Sequence, residues 1–437
     1  MEHPGRKLRV LTVTSNALSG ATGIGSTFLN FFDGCEGVEL ASVYTGYGLP
    51  QAGVCRGSFR ITEKSLVKNL KNRRIPSGEK VDERSGYALD ERESRTFDAA
   101  RKARPQVLFL LRELIWRAGR VVSPELKSFV REFAPDLIFA QINDTEYLSR
   151  LTLSLADIAE RPVCLFIGDD FCSLKRREIS PLFWILRLRK RRVHKKLIKR
   201  AAKVYMMTDI AKREYDAAFG IDCGTAAKSL DFSGMAPEPR AGRGPLRLTY
   251  TGNLYNGRWK QLAALGGAIQ EANASASRRA ELCVWSATPL TGRMKKAFDA
   301  NGVRFCGCAP SSEMPRIMAD SDVLVHAEAD SPREAAVVRL SFSTKLVDYM
   351  HAGRCILAVG PRGQASMAHL DENGAAVCVY GREGLLPAVK RIMDDGERAR
   401  LASAAWECGR RCHNASTVRP RFAAELQDAA FGGPFPG

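Results

Sequence analysis

Residues 236–245 read Ala-Pro-Glu-Pro-Arg-Ala-Gly-Arg-Gly-Pro, with three prolines, two glycines and no apolar periodicity. Proline removes a backbone donor and glycine fixes no conformation, so such a stretch joins domains rather than belonging to one. On both sides of it, short apolar runs of strand length alternate with helical patterns. Before it stand Leu8–Thr14, Asp136–Gln141, Pro162–Gly168 and Val204–Thr208, with helices at Val107–Arg120, Pro124–Phe133 and Ile210–Phe219. After it stand Leu246–Thr251, Glu281–Trp285, Val303–Cys306, Val323–His326, Cys355–Val359 and Ala376–Val379, separated by helical segments such as Lys260–Glu271 and Leu385–Met393. That rhythm implies an α/β chain of two Rossmann-like, doubly wound domains facing a cleft, divided at 238/239. Residues 61–105 are polar and non-periodic and read as a long loop within the first domain.

Composition narrows the class. The 437 residues carry 66 Lys plus Arg against 48 Asp plus Glu, a formal net charge of +18, which argues for an anionic partner. No apolar run is long enough to span a bilayer, and the N-terminus lacks the pattern of a secretory signal. The 12 cysteines are scattered, which reads as reduced thiols and a cytoplasmic setting. Cys306/Cys308 and Cys408/Cys412/His413 are the close clusters; neither has a second half at zinc-like spacing in the sequence, so no metal is expected.

Three segments are candidates for phosphate contact. In Ser341-Phe-Ser-Thr-Lys-Leu-Val-Asp-Tyr-Met-His-Ala-Gly353, Ser343 reads as an N-cap, with Thr344 and Lys345 in the first turn. A lysine there opposes the helix dipole and makes sense if an anion docks on it, with Asp348 one turn further on to accept hydrogen bonds from a ribose diol. In Tyr250-Thr-Gly-Asn-Leu-Tyr-Asn-Gly-Arg-Trp-Lys260, a strand end and tight loop deliver Arg258 and Lys260. The loop carrying Gly20, Gly23 and Gly25 follows the first strand, but Phe28 stands where a dinucleotide fingerprint has its third glycine, and no Walker lysine follows.

Together these segments resemble glycosyltransferases of the GT-B fold, in particular the large retaining family four. The matching motifs are Tyr250–Leu254, Val303–Pro310, Ala319–His326 and Ser343–Pro361; the first half matches more loosely, through the glycine loop and Ala134–Phe139. The resemblance implies transfer of a sugar from a nucleoside diphosphate to a hydroxyl of a cell-surface glycan or lipid-linked acceptor. It makes residues 1–238 the acceptor-binding domain, residues 239–412 the nucleotide-sugar domain, and residues 413–437 a helix and tail that cross back to the first. Arg258, Lys260, Ser343, Thr344 and Lys345 would hold the diphosphate, Asp348 the ribose, and the loop at Cys308 and Ala309 the nucleobase. Where the family has two glutamates eight positions apart, this chain has Leu340 and Asp348, and Glu328, ahead of Glu334, is the candidate substitute. Where the family places a histidine, this chain has Asp169 and Asp170, which become candidates for sugar or acceptor contact. The cations would take the place of a divalent metal, so neither metal nor cofactor is expected. A nucleotide-sugar epimerase of the same fold, or a non-enzymatic relative that binds nucleotides or anionic lipid, are the alternatives.

Residues 181–203 hold ten Lys or Arg and no acid, after an apolar run of Phe183, Trp184, Ile185 and Leu186. This is the composition of a helix lying on an anionic membrane, which would place the protein on the inner face of the cell membrane. The other reading packs Leu182, Ile185, Leu188, Val193 and Leu197 against the domain and solvates the basic side. No nucleic-acid-binding motif is present.

Overall fold

The computed structural model describes residues 6–46, 48–81, 106–176, 178–238, 244–329 and 331–432. They form two compact units: the first draws on Met1–Leu174, Glu178–Ala227 and Arg419–Gly437, the second on Lys175–Arg177 and Lys228–Val418.

The elements of the first unit are β1 (Leu8–Thr14), α1 (Gly23–Phe32), β2 (Val38–Tyr44), β3 (Cys55–Ile61), α2 (Glu63–Lys71), β4 (Gly78–Val81), α3 (Gln106–Ala118), α4 (Pro124–Phe133), β5 (Leu137–Ile142), α5 (Glu146–Ala159), β6 (Val163–Ile167), α6 (Pro181–Arg200), β7 (Lys203–Met206), α7 (Asp209–Phe219) and β8 (Gly224–Thr225). Their sheet runs β4-β3-β2-β1-β5-β6-β7-β8, parallel except for β4 against β3. Strands buried on both faces explain the unbroken apolar runs Val163–Ile167 and Leu137–Ala140.

Residues 61–81, expected as loop, are ordered. Thr62 caps α2 through a reciprocal box with Ser65, and Glu63 accepts hydrogen bonds from Arg112 Nε and, at 2.9 Å, from Trp116 Nε1. Residues 82–105 of that expected loop lie outside the described residues.

The second unit contains β9 (Leu246–Thr251), α8 (Arg258–Asn273), β10 (Ala280–Trp285), α9 (Gly292–Ala300), β11 (Val303–Gly307), α10 (Met314–Ala319), β12 (Val323–Ala327), α11 (Pro332–Val337), α12 (Lys345–His351), β13 (Cys355–Val359), α13 (Ala365–Glu372), β14 (Val377–Val379), α14 (Leu385–Met393) and α15 (Asp395–Cys412). Its six strands run β11-β10-β9-β12-β13-β14, all parallel. Strand order therefore reverses between β9 and β12, the topological switch point of a doubly wound sheet.

The unit begins at Lys228, eleven residues earlier than the expected start at 239, because backbone pairing holds this segment. Leu230 N–H donates to His413 O at 3.0 Å, Ala415 N–H donates to Leu230 O at 2.8 Å, and Phe232 sits 5.0 Å from the Trp406 ring. The final helix, α16 (Ala415–Phe431), starts in the second unit and belongs to the first from Arg419 on. Phe422 enters the aromatic core of the first unit, 5.5 Å from Phe31 and Phe139 and 5.1 Å from Tyr205.

Candidate active site

The switch point of the second unit lies at the carboxyl ends of β9 and β12, where ligands of such sheets bind. Strand β9 is followed by Gly252, whose φ of +146° suits glycine, and a Cβ there would collide with the Lys345 ammonium. The loop turns at Gly257 (φ +74°) directly into α8, so Arg258 is its first residue. Arg258 Nη1 donates to Asn253 Oδ1 at 2.8 Å, and Nη2 donates to Glu328 Oε2 at 2.9 Å. Glu328 stands one residue past β12, its own N–H donating to Val359 O at 2.9 Å. His326 Nε2 lies 3.1 Å from Glu328 Oε1, so the carboxylate is bracketed by two nitrogens.

Lys345 begins α12. Its Nζ donates to Thr251 O at 2.7 Å and lies 5.4 Å from the centroid of the Tyr250 ring. Thr251 is held from the other side by Tyr349, whose hydroxyl accepts from Thr251 N at 3.1 Å. Lys345, Arg258 and Glu328 thus form one charged group around the end of β9.

The electrostatics follow from that crowding. Burial opposes ionisation of Glu328, but His326 and Arg258 outweigh it and hold the carboxyl at about 2, so it is an anion. Lys345 is pushed down to about 8, first by burial and then by the Arg258 cation, against the weaker pull of Glu328 and Asp348. Burial also opposes the Arg258 charge, and Glu328 with Tyr250 more than restores it. A lysine depressed in this way is short of negative charge; an anionic ligand would relieve it.

The other expected residues fall as follows. Asp348, on α12, pairs with Lys228 Nζ at 2.5 Å, a partner from the segment ahead of β9. Thr344, not Ser343, is the N-cap residue of α12, in helical conformation and without a side-chain cap bond, while the Ser343 N–H donates to Ser366 Oγ at 3.0 Å. Lys260 lies two residues into α8 with its Nζ 6.0 Å from the Trp259 ring centroid. Cys308 and Ala309 follow β11, at the sheet edge, and the Cys308 thiol is exposed.

Three candidates belong to a different place. The glycine loop follows β1 at the switch point of the first unit, between β1 and β5. There Thr22 caps α1 by accepting from Gly25 N at 3.1 Å, and Ser15 N–H donates to Gln141 Oε1 at 3.2 Å. A Cβ on Gly25 would strike the Ala17 carbonyl, whereas Gly20 and Gly23 have nothing nearby.

Asp169 and Asp170 follow β6 in the same unit. Asp170 is fully buried: it accepts from Ser173 N at 2.9 Å and from the Ser173 hydroxyl. Arg187, from α6 and itself 1% exposed, lies 3.6 Å from its carboxylate and donates to the Asp170 and Ser173 carbonyls at 2.9 Å. The Asp170 carboxylate is thereby engaged in holding a turn, whereas Asp169 is half-buried.

Sequence reasoning did not single out Asn253, His326, Tyr349 or Lys228 as parts of this group. His326 and Glu328 share one face of an extended segment by period two, which was a usable signal. Nothing local marks Lys228, which the fold brings 120 positions back to Asp348.

Comparison with solved structures now places the fold. The chain superposes on sucrose-phosphate synthase from Thermosynechococcus elongatus with a TM-score of 0.62 at 11% identity, covering 98% of this chain and 100% of that one. An Escherichia coli structure titled trehalose-6-phosphate bound with UDP-2-fluoro glucose gives 0.60 at 10% identity, covering 97% and 99%. A glycosyltransferase from Rickettsia africae gives 0.58 at 11% identity, covering 98% and 100%. At such identities the likeness establishes the fold: this is a GT-B protein, with two Rossmann-like units. No protein-family model and no curated protein matches the chain.

Proposed function

We propose that the protein is a glycosyltransferase that moves a sugar from a nucleoside diphosphate donor to a hydroxyl of a cell-surface glycan or lipid-linked acceptor. The observation that carries this reading is the pair of cations, Arg258 and Lys345, converging at the switch point of the second unit, with Lys345 depressed by its burial and then by Arg258. In sugar transfer, negative charge develops on the departing diphosphate. Arg258 and Lys345 are positioned ahead of the reaction to stabilise it, and enclosure strengthens their effect. Lys260, Ser343 and Thr344 are the further diphosphate contacts, Asp348 accepts from the ribose diol, and Cys308 and Ala309 border the nucleobase. Glu328, kept anionic, orients the donor sugar and fixes the Arg258 fork. With these cations in place, transfer proceeds without a divalent metal and with retention, and no protein nucleophile is required. Asp169 contacts the acceptor in this reading, and Asp170 serves it indirectly, by shaping the turn.

Four of the similar structures name a uridine nucleotide in their titles, so uridine donors are the first to test. Purified protein is incubated with radiolabelled UDP-sugars, a membrane lipid extract and a chelator. Label moving into the lipid-extractable fraction supports the reading. Interconversion of free nucleotide sugars identifies an epimerase instead, and neither product identifies a binder.

The acceptor side of the proposal includes an anionic membrane. No helix among the described residues is long and apolar enough to cross one. Helix α6 buries Arg187, His194, Leu197 and Ile198, while Ile185 and Leu188 are 56% and 50% exposed beside its basic residues. This differs from the apolar face that the sequence suggested would pack inward, because a buried arginine takes the place of Ile185 and Leu188. Helix α3 adds exposed Leu108, Phe109, Leu111 and Leu114. Apolar groups beside basic ones are the chemistry of interfacial binding. The protein should cosediment with anionic vesicles at low salt and be released at high salt; no sedimentation at low salt removes this part of the proposal.

A further inference from the structure

Four side chains that the proposed function does not use come together in the second unit. His369 projects from α13. Cys408 and Cys412 lie one turn apart at the end of α15, and His413 is the residue that caps it. At spacing i, i+4 the two thiols share one helix face. Among the described residues this is the one place where three His, Cys or acidic groups bring ligand atoms together: those of His369, Cys408 and Cys412 all lie within 4.8 Å of one another. His369 Nε2 is 3.7 Å from Cys408 Sγ and 3.1 Å from His413 Nε2.

Those spacings have a chemical meaning. A tetrahedron with metal–nitrogen bonds of about 2.0–2.1 Å and metal–sulfur bonds of about 2.3 Å has edges of roughly 3.3–3.8 Å. The 3.7 Å nitrogen–sulfur contact falls within that range, and the 3.1 Å nitrogen–nitrogen contact lies just below it.

The tautomer of His413 is also set. Its Nδ1 lies 3.2 Å from the Lys228 carbonyl oxygen, which can only accept, so Nδ1 carries the proton and Nε2 keeps its lone pair. A backbone carbonyl behind the ring is the usual support of a metal-bound histidine. Cys408 and His413 are buried, His369 and Cys412 half-buried, and Phe342 closes the cluster, lying 5.6 Å from the His413 ring at 18° and 5.2 Å from His369 at 82°.

We propose that His369, Cys408, Cys412 and His413 form a closed structural site for a zinc ion. Two sulfur donors and two nitrogen donors, with His413 joining the group through its contact with His369, select zinc over magnesium or calcium, which prefer oxygen. On binding, each thiol loses its proton to solvent and gives a thiolate bond to the metal. The two imidazoles stay neutral, so the charge of the ion is balanced within the site.

With four protein ligands there is no open position for a substrate, so the ion does not take part in the transfer chemistry. It ties α13 to the end of α15 just where the chain, pinned by Leu230 N–H to His413 O at 3.0 Å, leaves the second unit. The short-range sequence shows three of the four ligands, Cys408, Cys412 and His413; His369 lies 39 positions before Cys408.

The test is metal content and cobalt spectroscopy. Protein purified under reducing conditions without metal-affinity resin, and dialysed against a weak chelator, should retain close to one zinc per chain by mass spectrometry. Cys412→Ser and His369→Gln should each lower the retained zinc at least tenfold, while Cys35→Ser, in the first unit, should leave it unchanged. Cobalt(II) added to metal-stripped wild-type protein should give the intense visible and thiolate charge-transfer bands of a tetrahedral site. The proposal is overturned if wild-type protein retains no zinc and cobalt gives no thiolate band, or if both variants keep wild-type zinc. Should the variants not fold, the wild-type cobalt spectrum decides alone.

Discussion

At the residue scale, the proposed donor site depends on charges placed against one another. Lys345, held at about 8, must be a full cation to receive a diphosphate, and a bound anion would raise it. Binding above pH 8 therefore takes up a proton. The dissociation constant for a nucleoside diphosphate should rise up to tenfold per pH unit above about 8 and stay flat below it; Lys345→Met should abolish that pH dependence. Calorimetric titration between pH 7 and 9.5 reads this directly.

Glu328 runs the other way. Its folded value of about 2 lies below the ordinary 4.5, so its stabilising effect is fully present above about 4.5 and fades as pH falls toward 2. Removing it leaves half-buried Arg258 without its carboxylate partner; Glu328→Gln should cost about 3 kcal/mol at pH 7, the low end for breaking a buried pair. Denaturant unfolding should show the two proteins converging as the pH is lowered through that window. Gly252→Ala would force both an unfavourable backbone and the displacement of Lys345, and should weaken donor binding as much as removing the lysine does.

At the element scale, what could be read from the sequence tracks how each segment is buried. Strands β1, β5, β6, β9, β10, β12 and β13 lie inside their sheets, largely buried on both faces and bounded by turns, and their pattern announces them. The donor helix α12 carries its own N-terminal and glycine signals, although its cap falls one residue later than the side chains suggest. Helix α2 and strand β4 were hidden because they are polar surface elements whose order comes from Thr62, Ser65 and Glu63 rather than from periodicity.

Helix α15 was hidden for a related reason: it carries Gly396 and Gly409 and a weak apolar stripe. Gly409 earns its place by packing, since a Cβ there would strike the Phe232 ring. Gly409→Ala, a change that raises helix propensity, should nonetheless destabilise by about 1–3 kcal/mol in denaturant unfolding. Helix α6 shows the limit of composition: its nine cations are visible at once, but that Arg187 turns inward to the Asp170 turn is not.

At the scale of the whole molecule, the two-domain plan was legible from the βα rhythm and the Pro/Gly linker. The boundary at Lys228 and the zinc-like cluster were not, because both arise from long-range pairing: Leu230 with Asn414, and His369 with Cys408. The last helix shows the same dependence. Phe422 is 4% exposed in the aromatic core of the first unit, although it lies near the end of the sequence. Phe422→Ala should cost about 3–5 kcal/mol, and a chain ending at Val418 should lose that much or more from the first unit, as followed by unfolding of the intact protein and the truncated form.

The central claim is that the second unit holds a nucleoside diphosphate sugar at the end of β9. The most direct measurement is the thermal shift of wild-type protein and Lys345→Ala with UDP-, GDP-, ADP- and dTDP-sugars. A donor at a hundred times its dissociation constant should add about 2.7 kcal/mol of stability. The account predicts that one nucleotide class stabilises the wild type and that Lys345→Ala loses the shift. Stabilisation that survives in Lys345→Ala, or no shift with any of the four, would contradict it.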